Sequence, residues 1–426
     1  MRITSPLLLA ASFLFALAGA ACGGDTGDQT DAGDNVDSGD TTEADIDAGD
    51  DGYNGSPSDT YPAFQIDAPQ VLDVGDTVLA HPVVVPVYFG NDDTQFTGEI
   101  TTFLGKFAAS TFWPAAVGEY NVSTLTVTSP VQLTENAPAP TTQDSAIQTW
   151  LKGKLGSDPA FPAPTPNTIY ALYYPSGTTI SLGQNGGTSC SSFGAYHGNI
   201  TYNSNRVAYA VMPRCATFAG LTGINAVTAP TSHELIEAAT DPFGDTYATL
   251  DDDHITWGFI LGGFEIGDMC AQTQTAFWNP SDIGNYVQSP WSNAKVKQAH
   301  DPCQPVNGTQ AYFNAYPVLT DSINILNQVT TKGVTIPVGQ SKTIEVDLFS
   351  DAPTAGPWKV DAIDSATLQQ SAQELSFTWD RQTGQNGEKL HLTIKAVKAS
   401  QYGASAFLLY STLGVRESFW IGVVGN

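Results

Sequence analysis

His233-Glu234-Leu235-Ile236-Glu237 holds the residues best placed to do chemistry in this chain. On a helix, His233 and Glu237 are four residues apart and project from one face. One imidazole and one carboxylate at that spacing can hold the same metal ion. Glu234 stands where a zinc hydrolase carries its general base. The common zinc signature ends in His, whereas this one ends in Glu. Glu is scarce here, with eleven in 426 residues and three of them between 234 and 265, so a chance match is improbable. A third ligand must come from downstream. Glu265 and Asp268, in Phe264-Glu265-Ile266-Gly267-Asp268-Met269-Cys270, are the alternatives. Three protein ligands on zinc leave one position open for water, and Glu234 would take the proton as water attacks a carbonyl. Two carboxylates make such an ion less electrophilic than two imidazoles would, so weaker catalysis or another metal also fits. The opposing reading needs no metal: Glu234 and Glu237 accept backbone N–H groups and pin the Asp241–Cys270 loop.

Other polar groups carry weaker signals. His197 lies in a Gly-rich turn near a Cys. It reads as a satisfied structural histidine, or else as a residue that touches substrate or supports a metal ligand. Asp251-Asp252-Asp253-His254, with Asp241 and Asp245, offers oxygens for calcium. The spacing misses the EF-hand pattern, so an exposed acidic turn is expected. A Gly-x-Ser-x-Gly elbow, a P-loop and a dinucleotide fingerprint are all missing from the sequence.

The elements that must position these residues follow from periodicity. Strands are expected at 82–90, 120–131, 168–175 and 207–213, and helices at 97–110 and 142–154. A further helix should run into the His233–Glu237 stretch, with Pro230 in its first turn and Asp241-Pro242 ending it. Strand and helix in alternation indicate an α/β or α+β domain with a mixed sheet. From about Pro305 the pattern changes to short strands at 333–339, 342–348, 375–379, 390–394, 407–410 and 418–424. That spacing indicates an antiparallel, immunoglobulin-like sandwich.

The N-terminus reads as an export signal. Arg2 precedes an apolar run, Leu7 to Ala18, that is too short for a stable membrane anchor. Gly19-Ala20-Ala21-Cys22 resembles a bacterial lipobox, with Cys22 as the lipidated residue. Asp25, Asp28, Asp31, Asp34, Asp37 and Asp40 then recur every third residue, which describes an extended, disordered tether, with calcium binding as the alternative reading of such a repeat. The expected organisation is a signal peptide at 1–21, the lipidated Cys and linker at 22–62, a central domain at 63–304 and a sandwich at 305–426. With 43 acidic against 16 basic residues, the chain carries a net charge of −27, which excludes a basic nucleic-acid face. Setting Cys22 aside leaves four cysteines, and the simplest of three connectivities is Cys190–Cys215 with Cys270–Cys303.

The block from about 188 to 303 resembles the EXORDIUM-type (phosphate-induced) secreted proteins and their bacterial relatives. The resemblance rests on Cys190 with Phe193-Gly194-Ala195-Tyr196-His197, on His233 to Glu237, on Glu265 to Cys270, and on Trp291-Ser292-Asn293 before Cys303. Ala195 departs from the Gly of that pattern. The resemblance implies an extracellular protein of walls or surfaces and does not fix an activity. Combined with the helix motif, it gives the leading expectation: a lipoprotein of the outer membrane or cell surface, tethered by its lipid. Its zincin-like central domain would use zinc to hydrolyse a substrate, most simply a peptide. The alternative is a non-catalytic surface protein that binds wall carbohydrate through Trp257, Trp278 and Trp291. The sequence carries no signal for an oligomeric state.

Overall fold

The computed structural model describes residues 54–75, 77–183, 186–325 and 328–426. The export signal, Cys22 and the Asp repeat at 25–40 lie outside the described residues. The chain is mostly β-sheet with a few helices. Among the described residues, no helix is long and apolar enough to cross a membrane.

The first half is built on a six-stranded mixed sheet. Its main path runs Thr126–Val127, Val83–Tyr88, Thr168–Tyr174, Asn205–Pro213, Tyr196–Tyr202. Every pairing is parallel except the last, where Tyr196–Tyr202 returns antiparallel along the edge. Strands covered on both faces read as continuous apolar runs, and Thr168–Tyr174 is buried at every position. On one face, Val84, Tyr88, Ile169 and Tyr173 pack with Phe103 and Phe107 of helix Thr94–Ala109 and with Leu235 and Ala239 of helix Asn225–Thr240. On the other, Val85, Val87, Tyr170 and Leu172 pack on Ile147 and Leu151 of helix Asp144–Ser157.

Helix Asn225–Thr240 decides the chemistry. Fourteen of its sixteen residues are buried, so it has no solvent face on which to leave its polar groups. It also corrects the expected place of Pro230, which lies inside the helix because the helix begins five residues upstream. There the ring removes one internal hydrogen bond, normally a cost of about 3 kcal/mol, and burial of the surrounding helix offsets it. The expected strand at 120–131 is also corrected. Asn121 turns left-handed at φ 63°, and only Thr126–Val127 and Val131–Gln132 pair with the sheet.

The second half is a sandwich of a four-stranded and a six-stranded sheet. Pairing is antiparallel except where Val329–Thr335 runs parallel to Arg416–Gly425. Strands Phe313–Pro317, Asp321–Ile325 and Trp358–Asp364 escaped the periodicity reading. The two halves share one core. Trp257 of helix Ile255–Leu261 meets Trp420 edge-on at 5.2 Å and Trp291 at 6.0 Å. Contacts with the sandwich begin at Asn54, ahead of the expected linker end: Lys389 donates to Asn54 O, and Asn386 Nδ2 donates to Ser58 O and Thr60 O.

Candidate metal centre

Four segments converge on one place. Helix Asn225–Thr240 contributes His233, Glu234 and Glu237. The edge strand Tyr196–Tyr202 contributes His197, which pairs with Ala210 and so lies on the sheet face that carries this helix. The turn into the short helix Asp268–Ala271 contributes Glu265 and Asp268. Strand Val287–Gln288 contributes Gln288.

His233 Nε2 faces Glu237 Oε2 at 3.0 Å, Asp268 Oδ1 at 3.7 Å and Glu234 Oε1 at 3.9 Å. Its other nitrogen, Nδ1, lies 3.1 Å from Gln288 Oε1. Gln288 is oriented in turn, since its Nε2 donates to Gly267 O at 2.7 Å and so fixes Oε1 as the acceptor for His233. An imidazole tied at Nδ1–H presents its Nε2 lone pair to whatever lies beyond, which is how ligand histidines are usually prepared. His197 is held comparably. Its Nδ1 lies 3.2 Å from Glu234 Oε2, and its Nε2 faces Asp241 O at 3.1 Å and Glu265 Oε1 at 3.4 Å. Ligand atoms of His233, Glu237 and Asp268 lie within 4.8 Å of one another, as do those of His197, Glu237 and Glu265.

The expected choice between Glu265 and Asp268 therefore takes another form. Each acid joins a different histidine, and Glu237 is common to both trios. His197, expected as a structural or supporting residue, faces Glu234, Glu237 and Glu265 directly. The backbone-pinning role expected for the carboxylates accounts for one oxygen of Glu237, whose Oε1 accepts from Asp268 N at 3.0 Å. It does not account for Oε2, which faces the histidines.

Four carboxylates in one pocket repel. Two unit charges 4 Å apart interact by about 4 kcal/mol at an effective dielectric of about 20. Burial, reinforced by neighbouring carboxylates, pushes Glu237 up to about 7, Glu265 up to about 8 and Asp268 up to about 6. Burial alone would pull the histidines down. The surrounding acids override it and hold His197 and His233 well above the usual imidazole range. Without a cation, protons must supply the missing positive charge. Glu265 Oε1 is buried and has no hydrogen-bond partner in this arrangement. An orphaned carboxylate oxygen beside an imidazole, in a set of nitrogen and oxygen donors, fits a divalent ion such as zinc. Glu265 and Asp268 have the more exposed side chains, at 21% and 25%, against 3% for Glu237, so the pocket opens on their side.

The remaining candidates lie elsewhere. Asp251 accepts from Gln70 N and pairs with His254, Asp245 pairs with Arg206, and Asp241 Oδ1 accepts from Asp245 N and Thr246 N, and among the described residues none of them joins the two trios of close ligand atoms. Trp257 and Trp291 are buried against the sandwich, so neither offers a sugar platform, whereas Trp278 is half-buried and its Nε1 donates to Ser289 Oγ. Gln288 and Gly267 were not among the expected site residues. A methyl on Gly267 would stand 2.6 Å from Glu237 Oε1 and 2.8 Å from His233 Nδ1. The structure joins Cys190 to Cys215 and Cys270 to Cys303. The second bond anchors the short helix that begins at Asp268. Disulfides of this kind fit an extracytoplasmic protein.

No family model and no curated protein matches the chain. Among solved structures, it is similar over 26% of its length to the surface layer protein SbsC, domains 1–6, at 17% identity and TM-score 0.16, spanning 13% of that chain. Titin M4 is similar over 27% of this chain and 97% of its own, at 13% identity and TM-score 0.16. The structural neighbours thus include immunoglobulin domains. At these scores the likeness carries no argument about the site.

Proposed function

We propose that this protein is a surface-tethered lipoprotein whose central, zincin-like domain is a metal-dependent hydrolase, acting on peptide bonds. The resemblance to EXORDIUM-type proteins and the lipobox at Cys22 support the setting. One observation carries the chemistry: His233 Nε2, with Nδ1 tied to Gln288, points at Glu237 and Asp268 from within a buried, acidic pocket.

His233, Glu237 and Asp268 would hold the ion. When bound, a divalent ion supplies Lewis acidity that polarises a carbonyl and acidifies water. Glu234 sits beside these residues without joining either trio, and its carboxylate is the proton acceptor for an attacking water. His197 Nδ1, 3.2 Å from Glu234 Oε2, orients that carboxylate. Substrate enters from the side of Glu265 and Asp268, where the pocket opens.

The mature protein, purified without chelator and offered zinc, should bind it stoichiometrically. His233→Ala and Glu237→Ala should abolish binding. Glu234→Gln should keep the metal and lower hydrolysis of any accepted peptide by about two or more orders of magnitude. A wild-type protein without stoichiometric metal would make these carboxylates structural and sink the hydrolase reading. The tether is tested separately: Cys22→Ser should move the protein from membrane to soluble fractions, and a processed mutant still retained on membranes would refute the lipid anchor.

A further inference from the structure

We propose that this centre holds two divalent ions, with Glu237 as the bridging carboxylate. One ion would lie among His233 Nε2, Glu237 and Asp268, and the second among His197, Glu237 and Glu265. The proposal rests on the metal reading above and extends it from one ion to two.

The geometry divides into two nests. The two trios share Glu237 and nothing else. Nδ1 of His233 has one acceptor, Gln288 Oε1, whereas Nδ1 of His197 faces Glu234 Oε2 at 3.2 Å and Glu237 Oε2 at 3.8 Å. The opposite nitrogen faces oxygens from separate segments. For His233 these are Glu237 Oε2 at 3.0 Å, Asp268 Oδ1 at 3.7 Å and Glu234 Oε1 at 3.9 Å. For His197 they are Asp241 O at 3.1 Å and Glu265 Oε1 at 3.4 Å. A neutral imidazole has one N–H. With that hydrogen on Nδ1, the Nε2 lone pair of each histidine meets oxygen lone pairs, and a cation among them removes the repulsion.

Glu265 supplies the second observation. Its Oε1 is buried and lacks a hydrogen bond, and it belongs to the His197 trio, not the His233 trio. A single ion at His233 leaves that oxygen facing only His197 Nε2, at 3.4 Å. A second ion at His197 uses it, with Asp241 O as a further oxygen donor. Two-ion centres hold their metals about 3.5–4 Å apart through shared ligands, the role assigned here to Glu237.

The test is metal stoichiometry on the mature, chelator-stripped protein, titrated with Mn(II) or Zn(II) and read by elemental analysis. The Mn(II) form is also read by electron paramagnetic resonance. Two equivalents and a spin-coupled Mn(II) signal are expected. His197→Ala and Glu265→Gln should each hold one equivalent and lose the coupled signal. Glu265→Gln preserves shape, and circular dichroism verifies its fold, so a misfolded His197→Ala leaves the test intact. Saturation of the wild type at one equivalent overturns the two-ion centre and leaves the hydrolase reading standing. Two equivalents retained in Glu265→Gln also overturn it. No bound metal at all overturns both.

Discussion

A methyl group at position 267 would stand 2.6 Å from Glu237 Oε1 and 2.8 Å from His233 Nδ1, closer than real side-chain contacts come. Gly267 has φ −71°, which any residue adopts, so Gly267→Ala is a steric probe without backbone strain. It should push Glu237 or His233 off line and weaken metal affinity by about 10–100-fold, the usual loss when a residue that orients a ligand is changed. Chelator competition on the folded variant checks this, and unchanged affinity would separate the metal from this geometry. Gly267 and Gln288 were invisible in the sequence because nothing local marks them. Their importance arises from a strand, Val287–Gln288, laid beside the helix some fifty residues earlier in the chain. His233, Glu234 and Glu237 were legible because helical spacing is local. His197 was marked only as a structural or supporting residue, because strand pairing with Ala210 is what turns it toward the helix.

Elements were legible to the extent that their periodicity was undisturbed. Helix Thr94–Ala109 carries Ile100, Phe103, Leu104 and Phe107 on one face, and Asp93 caps it through Gln95 N and Phe96 N. The site helix was harder to delimit. It is buried all round, so it has no polar stripe, and Pro230 suggested a start that tertiary packing overrides. The disulfides followed from cysteine spacing, and the structure shows what they fasten. Cys270 lies two residues after Asp268, and Cys303 forms a bridge with Trp291. At a sequence separation of 33, the bond should contribute about 3–4 kcal/mol on a chain-entropy basis. The double variant Cys270→Ser/Cys303→Ser should lose about that much in denaturant unfolding and should also weaken metal binding, since Asp268 loses its anchor. Removing Cys190–Cys215, with a separation of 25, should cost a similar amount. If the Cys270–Cys303 variant keeps full metal affinity, Asp268 is held by its own turn and the staple is irrelevant to the site.

At the scale of the whole molecule, the sandwich is joined to the central domain through a shared aromatic core. The sequence suggested otherwise, because Trp257 and Trp291 looked available when only their neighbours in the chain were considered. Trp291 packs on Trp257, whose other partners, Phe419 and Trp420, lie far away near the C-terminus. A cavity of about 50 Å³ at this junction is lined by Trp257, Met269, Trp291, Asp301, Tyr312 and Arg416, among others. Asp301 is the ionisable group to watch there. Burial raises its carboxyl to about 6. The Cys303 N–H opposes that rise, Asp351 adds to it, and Arg416 opposes it again. The unfolded carboxyl titrates near 3.8, so the unfolded state loses its proton first as pH rises. Stability contributed at this position is thus fully present below about 3.8, falls between about 3.8 and 6, and stays reduced above about 6. Asp301→Asn removes the charge and keeps an oxygen to accept from Cys303 N. It should match the wild type at acid pH and exceed it at pH 7, by at most about 3 kcal/mol, the value of a shift of roughly two pKa units. Denaturant midpoints at pH 3.5 and pH 7 check the sign. A variant less stable than wild type at pH 7 would mean that the attraction of Arg416 and the Cys303 N–H for the Asp301 charge outweighs burial.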